Sequence, residues 1–369
     1  MNDPMRTADS TAAIRDAILS CPKILPVGGR SKPCLTRARD VTLLSLKEHS
    51  GIIDYEPSEF TFTANAGTTL SETIDTLGEK GQYLPFDPML ASAGATLGGT
   101  IAAGLSGPGR FRFGGLRDFL LGCKLVLGNG DVVNVGGKVV KNAAGFDVPK
   151  WIIGSLGRLA VISEVTMKVF PRPVATTSAK LFGNDLSEAL QVIARLAGST
   201  WELDAIDFVP AESAIWIRVG GPDAANRATL NAISARYPDL EIVAEQPAEA
   251  FWSSITELQF AAPEDSVVKV PIRPGDVHEL VRASRDLDLT LHCSAAANVA
   301  WLALRDADRL AELDRRLKDS GRCGLLIRDP NTGSEPKILL GHMVRTQIED
   351  SLRRAFDPDH RFGESVLQA

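Results

Sequence analysis

The chain has 369 residues, of which 44% are hydrophobic and 23% charged, and its formal net charge is −6. Such a composition builds sizeable cores in two domains or so, and the acidic balance argues against a general affinity for nucleic acid or acidic membranes. Its five cysteines, at 21, 34, 123, 293 and 323, lack the close spacing of a zinc ribbon, an iron–sulfur run or a disulfide framework.

The first twenty residues, MNDPMRTADSTAAIRDAILS, mix acids with short apolar runs. They read as no secretory signal, and no stretch approaches the roughly 18 apolar residues of a membrane span; cytoplasmic residence is the expectation. Residues 11–20 suit a short amphipathic helix. KILPV (23–27) suits a buried strand ending at Gly28-Gly29, VTLLSL (41–46) a second, and FTFTANAG (60–67) a third with period-two alternation. Thr68 or Thr69 is placed to cap a helix running to about Lys80, with Glu72 as a capping-box partner. FLLGCKLVLGNGDVVNVGG (119–137) reads as two strands about Gly128-Asn129-Gly130, and RLAVISEVTMKVF (158–170) as one more. Pro171-Arg172-Pro173 then marks a domain boundary.

The second half repeats an order. Strand, helix, strand, strand, helix, strand runs from TSAKLF to LEIVAE, and again from VVKVPI to CGLLIR, with FWSSITELQF (251–260) between. Two split βαβ units in tandem predict antiparallel sheet covered by helices, an α+β domain. Helix 275–287 gathers Val277, Leu280, Val281, Ser284 and Leu287 on one face, and helix 306–319 does so with Leu310, Leu313 and Leu317.

Between the two halves of the first domain lies SAGATLGGTIAAGLSGPGRFRFGGLRD (92–118). Its interleaved Leu97, Ile101, Leu105, Phe111, Phe113 and Leu116 are too apolar for a linker. Two readings remain: a scaffold of tight turns, or a backbone cradle for an anion at the start of a helix near Thr96. Walker and Rossmann spacings are both absent. A second glycine cluster, PVGGRS (26–31), directly follows a strand. Two such loops suit a ligand with a diphosphate in the middle, and Arg30, Lys32, Arg110 and Arg112 are available to neutralise it.

These stretches, with KNAAGFDVPKWIIGSLGRLAVISEVTMKVFPRP (141–173) and FDPDHRFG (356–363), resemble the FAD-binding domain of the vanillyl-alcohol-oxidase (PCMH) type, shared with bacterial 2-hydroxyacid dehydrogenases. The nearer likeness is to the family of FAD-binding E subunits of bacterial glycolate oxidase. The resemblance implies an α+β fold: a two-subdomain FAD-binding domain over 1–172, a cap of two ferredoxin-like units over 173–345, and a helix and tail over 346–369 that return to the first domain. It also implies a flavoprotein subunit that helps oxidise glycolate to glyoxylate, with electrons going to an acceptor other than oxygen. Its partners would be a larger flavin-bearing D subunit and an iron–sulfur F subunit, the latter two placing it beside the inner membrane.

By the same likeness, Pro26, Val27, Gly28, Gly29, Arg30 and Ser31 would hold the diphosphate from one side. Gly94, Thr96, Gly98, Gly99, Thr100 and Gly104 would hold the other and border the flavin ring. Ser106, Gly107 and Gly114 would support the cradle, and Ile162 would meet the adenine end. Lys141, Asn142 and Asp147 lie in the segment that approaches the flavin, with Phe146 where tyrosine is frequent. Arg30 and Ser31 stand where covalently flavinylated relatives carry histidine, so the FAD is expected to be non-covalent, and no metal is expected.

Catalysis is less legible. Lys269 and Arg273, with Lys141, are candidates for a substrate carboxylate, against a solvated strand edge. His278, His292 and His342 form no close pair, and no base stands out. His292-Cys293 reads as a half-buried strand pair, Trp216 and Trp301 as core, Cys123 as inert, and Arg315-Arg316 and Arg353-Arg354 as exposed helix faces. A self-sufficient FAD-dependent 2-hydroxyacid dehydrogenase and a structural subunit without redox activity stay open beside the first reading.

Overall fold

The computed structural model describes residues 5–38, 40–137, 149–330, 337–344 and 346–363. Lys141, Asn142, Phe146 and Asp147 therefore lie outside the described residues. The chain begins with β1 (Met5–Thr7), α1 (Thr11–Ser20), β2 (Ile24–Val27) and β3 (Thr42–Ser45), and β3 runs parallel between the other two. Ser10 caps α1 by accepting from the Ala13 N–H, and Ile14, Ala17 and Ile18 make its buried stripe. That stripe meets Leu44 of β3 and Phe362 from the far end of the chain.

Next come β4 (Ile52–Glu56), β5 (Thr61–Asn65), α2 (Leu70–Gly78), β6 (Gln82–Tyr83), α3 (Leu97–Ala103), α4 (Arg110–Phe113), α5 (Leu116–Phe119), β7 (Leu120–Val126), β8 (Val132–Gly136), α6 (Pro149–Ile152) and β9 (Val161–Lys168). Five of these strands form an antiparallel sheet in the order β4-β5-β9-β7-β8. Thr69 caps α2, accepting from the Glu72 N–H at 3.1 Å, and the helix stops at Gly78, two residues short of the expected end. Thr96 caps α3 in the same way through the Gly99 N–H, and Gly104 ends it at φ 65°. The glycine-rich stretch is thus one short helix and two helical turns set among bends, closed by β7.

The chain crosses between sheets through β10 (Phe170–Pro171), which pairs with β6. It continues through β11 (Ala175–Phe182), α7 (Leu186–Ala197), β12 (Ala205–Val209), β13 (Ala214–Gly221), α8 (Asp223–Arg236), β14 (Glu241–Val243) and α9 (Glu245–Thr256). The second unit is β15 (Ser266–Pro271), α10 (Val277–Asp286), β16 (Thr290–Ser294), β17 (Val299–Leu304), α11 (Ala307–Asp319), β18 (Cys323–Arg328) and β19 (Leu339–Gly341). Strand order is β14-β11-β13-β12 in the first unit and β16-β17-β15-β18 in the second, the same arrangement reversed. The two do not stand apart: β12 and β16 pair at Phe208 and Cys293, and all nine strands form one antiparallel sheet.

The last helix, α12 (Gln347–Phe356), returns to the first half. The Gly128 N–H donates to the Phe356 carbonyl at 2.9 Å, and the Ile24 N–H donates to the Arg361 carbonyl at 2.7 Å. Asp357, fully buried, accepts from the N–H groups of Arg361 and Phe362. Arg353 is a correction to the expected exposed face. It is buried, and its guanidinium donates to the Gly363 carbonyl at 2.6 Å.

Candidate functional site

Between the loop that follows β2 and the first turn of α3 lies a cleft with about 710 Å³ of empty space, open solvent included. The run Pro26, Val27, Gly28, Gly29, Arg30, Ser31 forms one wall. Thr96, Gly98 and Gly99 form the facing wall, and Ile162 of β9 also lines the cleft. These ten expected residues share one cavity.

The glycines serve the two walls in different ways. A Cβ on Gly28 would sit 2.1 Å from Thr96 Oγ1, and one on Gly29 would sit 1.7 Å from the Gly94 carbonyl oxygen. Gly29 thus packs against the backbone of the facing loop and Gly28 against the Thr96 side chain, and only glycine permits that approach. Gly94 is at φ +77° with nothing within 4 Å of an added Cβ, so there the requirement is conformational. The other expected residues stand behind the wall. The Thr100 hydroxyl is buried without a hydrogen-bond partner. Gly104 ends α3, Ser106 Oγ accepts from the Leu116 N–H, and the Gly107 N–H is held by the carbonyls of Phe86 and Asp87. Gly114, at φ +82°, closes α4.

Lys32, one of the four cations the sequence offered, lines the cleft too, and the lining also contains residues not expected from sequence: Ala66, Ala102, Leu156, Gly157 and Ala160 among them. Turn 154–157 reaches the cleft because the Gly154 and Leu156 N–H groups donate to the Ile101 and Ala102 carbonyls, satisfying the end of α3. Gly157 stands within the quoted stretch 141–173, so its glycine was the available signal.

Charge is distributed unevenly. The lining holds the cations Arg30 and Lys32 and no carboxylate. Arg112 is not available to the cleft, because it pairs with Asp204 at 2.8 Å and with Glu202 at 2.9 Å. Lys269 of β15 reaches across the seam between the halves and donates to the Gly104 carbonyl at 3.3 Å. Burial, with the Arg110 guanidinium as a second cause, lowers its pKa from 10.5 to about 8. Arg273, expected beside it, lies at the exposed start of the turn Pro274–Asp276, its side chain 89% accessible, and is not brought to the seam. Arg110 takes that place.

The histidines form no cluster, and no group of metal-binding side chains occurs among the described residues. His278 and His342 are exposed. His292 is fully packed rather than half-buried: its Nε2 lies 2.7 Å from Asp207 Oδ2, which also accepts from Ser294 Oγ at 2.6 Å. Cys293 and Cys123 are buried, and burial raises the Cys123 thiol to about 12. Trp216 stacks on Phe251 at 3.7 Å and Trp301 is buried in the core.

The cleft fits a dinucleotide with a central diphosphate: two closely packed glycine loops on facing walls, and cations without carboxylates in the lining. The comparisons agree. Residues 4–136 match the family described as "FAD binding domain". The glycolate oxidase subunit GlcE of Escherichia coli is 34% identical over 249 residues, 67% of this chain and 67% of that protein. The glycolate oxidase subunit GlcD of Bacillus subtilis is 28% identical over 151 residues, 41% of this chain and 32% of that one. A solved alkyldihydroxyacetonephosphate synthase superposes with a TM-score of 0.70 at 16% identity, covering 99% of this chain and 78% of its own, which shows a shared fold. The chain is an FAD-dependent oxidoreductase component and belongs to the family of FAD-binding E subunits of glycolate oxidase.

Proposed function

We propose that this chain is the FAD-binding subunit of a glycolate oxidase complex, contributing to the oxidation of glycolate to glyoxylate with electrons passed to an acceptor other than oxygen. The observation that carries the reading is the two-walled cleft, in a chain with 34% identity to the E. coli E subunit. Its partners, on this reading, are a larger flavoprotein D subunit and an iron–sulfur F subunit. On this reading the FAD-binding domain runs over 1–172 and the cap over 173–345.

Gly28 to Ser31 hold the diphosphate from one side and Thr96 to Thr100 from the other, with Ile162 at the adenine end. Bound without a covalent link, FAD supplies the two-electron acceptor that turns a hydroxyl into a carbonyl. The residues around it bind and orient. Lys269 and Arg110, two cations brought together where the halves meet, suit the carboxylate of a small hydroxy acid.

The test is flavin reduction by glycolate in the purified full chain. FAD should be released intact on denaturation, glycolate alone should bleach it slowly, and added D and F subunits should make bleaching fast. Rapid bleaching in the isolated chain would make it a self-sufficient dehydrogenase. A colourless protein, even after incubation with FAD, would make it a structural subunit.

A further inference from the structure

Lys32 stands apart from the other cations of the molecule. It lines the cleft directly after the first glycine loop, yet only 7% of it is exposed. Its ammonium has three donors. One reaches Ser31 Oγ at 2.9 Å, and among the described residues no carboxylate reaches the other two. Removing an ammonium from water with one neutral partner is costly, and proteins keep such a group where something anionic completes it. The surrounding charges do not. Cys34, next along the turn, is a neutral thiol, raised by burial to about 12, that donates to the Leu326 and Ile327 carbonyls of β18. Arg37 pairs with Asp329 at 2.7 Å, and Arg158 donates to the Arg37 carbonyl. Arg30, the other cation of the lining, is exposed.

We infer that Lys32 is the cation that neutralises the diphosphate of the cofactor in this cleft, with Ser31 holding its ammonium in place. The inference rests on the FAD reading above and singles out, from the four cations the sequence offered, the one with a charge-specific role. FAD carries one negative charge on each of its two phosphates, and the facing wall offers backbone N–H groups and hydroxyls only. An ammonium buried before the cofactor arrives is pre-positioned, so its side-chain entropy is already lost and little more is lost on binding.

The burial of Lys32 makes the role measurable without turnover. Burial lowers its pKa from 10.5 to about 8. Pairing with a diphosphate raises it again, so FAD binding near pH 8 takes up a proton. The experiment uses the full chain stripped of FAD, with Lys32→Met and Lys32→Arg variants. FAD is titrated in by quenching of its fluorescence between pH 7 and 9, and unfolding of the FAD-free chain is followed by heat. At pH 7, Lys32→Met should weaken FAD binding about 10- to 100-fold, the range for a lost hydrogen bond to a charged group. Lys32→Arg should recover most of it. The affinity of the natural chain should fall above pH 8, and that of Lys32→Met should not. The FAD-free Lys32→Met chain should unfold at the same temperature or higher, since an uncompensated charge is gone.

Unchanged FAD affinity in Lys32→Met would overturn the inference. So would a lower unfolding temperature of its FAD-free form, which would make Lys32 a support of the turn. A lowered midpoint potential of the bound flavin in Lys32→Met would also overturn it, by placing the ammonium at the ring. A natural chain that takes up no FAD would overturn the cofactor reading itself, a result distinct from these three.

Discussion

Arg218 of β13 donates to Asp87 Oδ2 at 2.6 Å, across the seam between the two halves of the molecule. The same carboxylate oxygen accepts from the Gly109 N–H at 2.7 Å, so one atom ties the nine-stranded sheet to the glycine-rich loop. The Arg218 guanidinium also lies 5.0 Å from the Trp252 ring centroid. Both side chains are less than a fifth exposed. Removing one partner strands a charge, whereas replacing it by a neutral isostere keeps part of the hydrogen bonding. Asp87→Ala should therefore cost about 3 kcal/mol in urea unfolding, the low end for breaking a buried pair, and Asp87→Asn less. A double-mutant cycle with Arg218→Met should show strong coupling; additive effects would mean that the pair does not hold the seam.

The two loops of the cleft respond differently to an added methyl group. At Gly29 the methyl meets the Gly94 carbonyl oxygen at 1.7 Å, and the loops must part. At Gly94 there is open space, and only the left-handed backbone resists. Gly29→Ala should cost about 3 kcal/mol, the upper end for overpacking, and should yield protein that has lost FAD. Gly94→Ala should cost about 1–2 kcal/mol, the left-handed penalty, and keep more of its flavin. Thermal unfolding and the flavin content after gel filtration report both. Equal losses at the two positions would contradict backbone-on-backbone packing of the loops.

Asp207 is fully buried and accepts from His292 Nε2, Ser294 Oγ and the Ala295 N–H. It lies on β12 and its partners on or just after β16, next to the register pair Phe208 and Cys293 through which the two units join. Asp207→Ala leaves three donors or polar atoms without an acceptor, at a cost of about 3–5 kcal/mol. Hydrogen exchange should quicken first at 205–209 and 290–296, while α1 and the β2–β3 region stay protected. Uniform quickening along the whole chain would show that the seam is not a separate point of weakness.

Local chemistry made much of this fold readable. Thr69 announces its helix because capping is settled within four residues. The alternation of β9 and the stripe of α10 follow from one face being buried. What stayed hidden depends on partners distant in the chain. Asp207 and His292 are 85 residues apart, and nothing local says that two sheets share an edge there. Gly28 and Gly29 look like clearance for a ligand, but their nearest neighbours are Thr96 and Gly94. That Arg110 rather than Arg273 is the cation whose charge Lys269 feels is of the same kind. Arg273 lies four residues on, past the end of β15, with its side chain in solvent, whereas Arg110 arrives from the other half.

Lys269 gives the pH dependence. Its pKa in the folded, ligand-free chain is lowered from 10.5 to about 8, by burial first and by Arg110 second. Between these values the unfolded chain binds more protons than the folded one, so stability rises with pH through this window. Lys32 titrates over the same window, from 10.5 to about 8. The FAD-free chain should therefore gain stability in chemical unfolding between pH 8 and 10, and Lys269→Met and Lys32→Met should each remove part of that gain. A bound carboxylate reverses the effect at Lys269 by favouring the ammonium, so glycolate should bind less tightly as pH rises above 8. In the assembled complex this appears as a rising KM with a smaller change in kcat. Lys269→Met should raise KM at pH 7 and lose this pH dependence, and an unaltered KM profile in that variant would remove Lys269 from the substrate site.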